Sequence, residues 1–153
     1  MGSSDWQPFE ERNHTADLAL VARGRDLREL ILNASRGVLH LIADTSGVMA
    51  EEWVPITVSG PDPERLLVGF VKEVLVGWEL QGGVPVAVEV RAAPDDTWLQ
   101  DPAEPGLVEG RLGLASPADL EERIKSIPKA ATYHGLEIER VGDLLEAALV
   151  LDT

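Results

Sequence analysis

Residues 26–44 read DLRELILNASRGVLHLIAD, and their spacing decides the fold. Leu27, Leu30, Ile31, Ala34, Val38 and Leu41 recur at intervals of three and four, which is one continuous apolar stripe on a helix. Asp26 stands where an N-cap accepts a backbone N–H. Thr45-Ser46-Gly47 is turn chemistry, so the helix should finish near Asp44. A single stripe needs one layer to cover it, and the flanks supply strands. Ala16–Arg23 alternates with Leu18, Leu20 and Ala22 on one side, and Gly24 ends it. Trp6–Arg12 reads as a shorter strand before it.

Downstream, Trp53–Ser59 is strand-like, and Pro55 marks it as an edge or a bulge. Gly60-Pro61-Asp62-Pro63 stops that strand and starts a helix, with Asp62 as cap and Pro63 at the first helical position. That helix runs to about Gln81 and buries Leu66, Leu67, Phe70, Val71, Val74, Leu75 and Trp78; Gly82-Gly83 closes it. Val84–Ala92 is a strand. Pro94–Gly106 is acidic, proline-rich and free of basic residues, and reads as an exposed loop. Leu107–Ala115 is a strand, and Ser116-Pro117 opens a short helix to about Lys125. Lys129–Arg140 and Leu144–Asp152 are the last strands, joined by a tight turn at Val141-Gly142-Asp143. The order ββαβαββαββ predicts an α+β fold, two long helices on one face of a mostly antiparallel or mixed β-sheet. Residues 1–153 are expected to form one domain, with about 84–128 open to being a small inserted subdomain.

The composition narrows the function. The 153 residues carry 13 basic and 27 acidic side chains, a formal charge of −14, and 44% are hydrophobic, enough for a packed core. A protein built to grip nucleic-acid phosphates carries a basic excess, so stand-alone nucleic-acid binding is disfavoured, while cations and basic protein surfaces suit the field. The absence of cysteine excludes disulfides, thiolate zinc and cysteine catalysis. No apolar run has the ~18–20 residues of a membrane span, and the start lacks a secretory signal, so a cytoplasmic protein without a membrane partner is expected. Phosphate-loop, GxGxxG, GxSxG and HExxH patterns are all missing.

Three acids stand out by position. Asp17 opens an apolar strand, Asp44 closes a helix where the dipole disfavours negative charge, and Asp152 ends Leu149-Val150-Leu151. Gathered together they would repel unless a hard cation neutralised them, and oxygen ligands suit calcium, magnesium or manganese. Each also has an ordinary reading: a turn contact for Asp17, a loop cap for Asp44, a solvated terminus for Asp152. Lys129 follows Pro128 and precedes Ala130-Ala131-Thr132-Tyr133-His134. On these residues alone Lys129 reads as a solvated strand end, and His134 as a hydrogen-bonded turn residue before Gly135.

Taken together, His14-Thr15-Ala16-Asp17, Leu41-Ile42-Ala43-Asp44, Lys129-Ala130-Ala131-Thr132-Tyr133-His134 and the ending Val150-Leu151-Asp152 resemble the archease family, in order and over nearly the whole chain. Archeases are non-enzymatic cofactors of the RtcB-type RNA ligase that joins the exons of cleaved tRNA. They promote guanylylation of the ligase and its multiple turnover. The resemblance implies a divalent cation, calcium first and manganese or magnesium next, at Asp17, Asp44 and Asp152. It implies Lys129 beside them as the functional residue, with His14 and His134 in support and no catalytic residue. The partner would be the ligase, with tRNA engaged only indirectly. Two other readings stay open: a metal-dependent phosphoryl-transfer enzyme using the same carboxylates, and a general chaperone-like module.

Overall fold

The computed structural model describes residues 6–13, 18–117, 120–124, 130–132 and 136–152. The chain opens with β1 (Phe9–Asn13) and β2 (Leu18–Gly24), then α1 (Leu27–Ile42), β3 (Glu52–Gly60) and α2 (Pro63–Gln81). It continues through β4 (Val84–Ala92), α3 (Asp96–Gln100), β5 (Gly106–Ala115), β6 (Ala130–Thr132), β7 (Ile138–Val141) and β8 (Leu144–Asp152). Every strand pairing is antiparallel.

The α+β class holds, but the sheet is divided in two. One sheet has the order β1-β2-β8-β6, with β7 also on β8; the other has the order β3-β5-β4. Helix α1 packs on β2 and β4, and α2 on β3, β5 and β6, while the two helices touch each other. The helical layer is therefore shared between the sheets. Leu20 and Leu149, directly paired across β2 and β8, are fully buried together with Leu30, Ile31, Phe70 and Leu112. Burying side chains of this size stabilises the fold by roughly 1.5–3 kcal/mol each. Val88, Val108 and Leu112 of the 84–115 stretch belong to the same core cluster.

The caps are those the sequence signals. Asp26 accepts from Glu29 N at 2.8 Å, and Asp62 from Arg65 N at 2.8 Å with Pro63 in the first turn. Gly82 ends α2 in the left-handed region at φ 73°, which a glycine adopts without a Cβ penalty. Pro55 lies on β3, an edge strand, as its missing N–H requires. Leu66, Leu67, Phe70, Val71, Val74 and Leu75 are buried; the side chain of Trp78 lies outside the described residues.

Three local expectations need correction. The acidic stretch 94–106 is not simply loop. Asp95 accepts from Trp98 N at 3.1 Å to cap α3, and the Trp98 indole donates to Glu104 O at 2.7 Å. The short helix expected after Ser116-Pro117 is described as a single 3-10 turn at Glu121–Arg123, with Arg123 N donating to Leu120 O. The strand expected over 129–140 is two strands, because Thr132 pairs with Val150 and Ile138 with Ala147. Those two registers on β8 cannot belong to one continuous ladder. No described helix is long and apolar enough to cross a membrane.

Candidate functional site

The five-stranded sheet brings distant parts of the sequence to one end. Asn13 pairs with Leu18, so residues 14–17 connect β1 to β2 there. Leu18 pairs with Leu151, and Asp152 with Ala130 on the other edge of β8. The chain neighbours of positions 17 and 129 therefore lie on the two strands flanking the end of β8. Asp17, Lys129, His14 and His134 themselves lie outside the described residues, and Asp152 is described at its backbone.

Asp44 arrives at this end by helix length. Gly37 passes Leu20 so closely that an added Cβ would sit 2.8 Å from both leucine methyls. Leu20 to Leu18 is about 6–7 Å of strand, and four to five helical residues at about 1.5 Å each cover it. Helix α1 thus ends, at Ile42, level with the start of β2. Ala43 then bridges Ile124, and Asp44 N donates to Arg123 O at 3.0 Å. The Arg123 guanidinium also donates to Ser46 O at 3.3 Å. These bonds fasten the exit of α1 to the segment that leads toward Lys129.

The Asp44 side chain is exposed, and its Oδ1 accepts from both Ser46 N (3.2 Å) and Ser46 Oγ (2.8 Å). The loop-cap reading of Asp44 is therefore realised, and it holds the carboxylate in one orientation. Ser46 and Arg123 are the supporting residues that sequence reasoning passed over. The Asp-x-Ser spacing signals the first; nothing local signals the second. Among the described residues no three metal-ligating side chains converge, and that set lacks the side chains of Asp17 and Asp152. The donor chemistry fits a hard divalent ion, since all three candidates offer carboxylate oxygens and Asp44 is held in place by a short hydroxyl bond.

The opposite end of the same sheet carries a different arrangement. Arg23 on β2 donates to Glu10 on β1 and to Glu146 on β8, both at 2.9 Å. Burial lowers the Arg23 pKa, but the two glutamates outweigh it and raise it. On the three-stranded sheet, Arg111 stacks over Trp53 at 4.1 Å from the ring centroid and holds Glu89 through two bonds of 2.8 and 3.0 Å. Those bonds keep the Glu89 carboxyl below the usual range.

A cleft of about 370 Å³ adjoins Asp44. Its lining includes Phe9, Arg36, Leu39, His40 and Val86–Val88.

Comparison with known proteins returns one family. The profile of the Archease protein family (MTH1598/TM1083) matches residues 9–153. A protein archease of Saccharolobus islandicus is 31% identical over 144 residues, 94% of this chain and 97% of its own. That of Methanosarcina acetivorans is 29% identical, covering 97% and 98%. The solution structure of Methanobacterium thermoautotrophicum protein 1598 aligns with a TM-score of 0.77 at 24% identity, covering 95% of this chain and 99% of that one. A Thermotoga maritima archease described as a possible chaperone aligns at 0.58 and 22%, covering 94% and 96%.

Proposed function

This chain belongs to the archease family, and on that premise we propose that it is a non-catalytic, cation-binding accessory protein. In this reading it activates an RtcB-type RNA ligase in tRNA splicing by promoting the ligase's guanylylation and multiple turnover. The observation that carries the reading is the register at one sheet end. Leu18 on Leu151 and Ala130 on Asp152 gather the neighbours of Asp17, Asp152 and Lys129, and α1 returns Asp44 to the same level.

Asp17, Asp44 and Asp152 would hold the ion; calcium, manganese or magnesium there would neutralise the three carboxylates. Ser46 orients Asp44 for that task. Lys129 supplies a mobile point charge that can balance the carboxylates or reach a phosphate on the partner. The ligase must itself hold RNA, so its surface is basic, and a chain of charge −14 can dock there without RNA contacts.

The test is ligase turnover on cleaved RNA with this protein added at substoichiometric amounts. Activation beyond one round per ligase supports the reading. Nucleotide or RNA turnover by the purified chain alone would move it to the enzymes. Suppression of aggregation of unrelated proteins, without ligase activation, would move it to the chaperone reading given for the Thermotoga maritima relative.

A further inference from the structure

We propose that the cleft beside Asp44 receives an extended, carboxylate-bearing peptide segment of the ligase, added as a strand on the free edge of β4. This rests on the ligase reading above, and it deepens that reading by assigning a docking surface that adjoins the cation end at Asp44.

Three observations carry it. Val86, Ala87 and Val88 are consecutive, yet all three line the cleft. Val86 sits at the register shift between Pro85 and Ala87, while Ala87 and Val88 alternate regularly and point to opposite faces, so a cleft lined by both meets the strand's backbone edge. β4 pairs only with β5, which leaves that edge without a ladder.

Second, the outward amides can be identified. Val90 O accepts from Arg28 Nη1 at 3.1 Å, so the backbone of Val90 faces away from β5. The register is regular from Ala87 to Val90, and the two-residue period turns the N–H and C=O of Val88 outward as well. Among the described residues nothing outside the β4–β5 ladder bonds to Val88. An edge of this kind is the template for strand addition, with main-chain bonds giving affinity and flanking side chains giving specificity.

Third, the cleft carries a cation of its own. Arg23, Arg65, Arg111 and Arg140 are each matched to a carboxylate. Arg36 is exposed and has no ion-pair partner among the described residues. One turn later on the same helical face comes His40, whose ring lies 5.7 Å from that of Phe9. Arg36 therefore offers a planar fork to a carboxylate, and Phe9 and Leu39 offer an apolar floor to the next side chain. The segment should therefore carry its acid opposite Arg36.

The experiment uses the full-length chain and the full-length RtcB-type ligase. Amide deuterium exchange is followed over residues 86–88, and affinity is measured for wild type, Arg36→Glu and Arg36→Lys. The proposal expects slowed exchange at 86–88 in the complex. It also expects about tenfold or greater weakening by Arg36→Glu at unchanged melting temperature, with most of the affinity retained by Arg36→Lys. Binding with unchanged exchange at 86–88, or undiminished binding by Arg36→Glu, would overturn the docking surface and leave the cation-end reading standing. Failure of the wild-type chain to bind the ligase would overturn both. Protection of 86–88 by RNA alone would assign the edge to nucleic acid and overturn the peptide.

Discussion

The two ends of the five-stranded sheet use charge in opposite ways. At one end Arg23 lies between Glu10 and Glu146, so that three strands are stitched by a cation built into the chain. At the other, Leu18 meets Leu151, Ala130 meets Asp152, and the exit of α1 joins them, while Arg123 there is given to a carbonyl. The first end is complete as folded. The second is proposed to gather three carboxylates for a bound ion and Lys129 to balance. A structural end satisfies its own electrostatics; the proposed site would leave that task to a ligand.

The largest effect should come from the ladder on which both ends depend. Leu149 is fully buried and directly opposite Leu20. Leu149→Ala should cost about 2–5 kcal/mol through lost burial and a residual cavity. Chemical denaturation should show the loss, together with a weakened cation response, since strand register serves both ends.

Next comes the cation itself. At one hundred times its dissociation constant, a divalent ion bound only by the native state should stabilise the fold by about 2.7 kcal/mol. Melting temperature should rise with calcium or manganese in the wild type and lose that rise in Asp17→Asn. An undiminished rise in the mutant would remove Asp17 from the site.

Arg23→Ala should cost about 1 kcal/mol, as expected of ion pairs at half-buried positions. Because it acts at the far end, the cation response should survive. A response lost with Arg23 would show the two ends to be coupled and would break the comparison drawn here.

The smallest effect belongs to Glu89. Its hydrogen bonds from Arg111 depress its folded-state pKa. The pair's contribution is therefore present above the ordinary glutamate range and is lost as pH falls through the lowered folded value. Melting curves of wild type and Glu89→Gln should differ slightly at neutral pH and converge in acid.

The elements legible in the sequence are those whose signals are local. Asp26 and Asp62 cap as their spacing demands, the stripe from Leu27 to Leu41 is buried, and β4 has the expected bounds Val84–Ala92. What was not legible depends on partners far along the chain. Division into two sheets follows from which strands find β5 and which find β8. The separation of β6 from β7 follows from their registers on β8, Thr132 on Val150 and Ile138 on Ala147, which one continuous strand cannot satisfy. The bond from Trp98 to Glu104 O gave no periodic signal. At the candidate site, spacing alone gave three separate carboxylates with ordinary alternatives. Resemblance joined them; the register brings their described neighbours Leu18, Leu151 and Ala130 to one sheet end, with Ser46 and Arg123 added as the supports of Asp44.

The central claim is that this end of the protein acts on the ligase's chemistry through Lys129. It is tested most directly by single-turnover guanylylation of the RtcB-type ligase with wild type and Lys129→Ala, each melted in parallel. A lysine whose ammonium stays solvated contributes within about 1 kcal/mol to stability. The account therefore predicts a mutant that folds, still gains stability from the cation, and fails to speed guanylylation. Full activation by Lys129→Ala, or loss of activation matched by loss of folding, would contradict it.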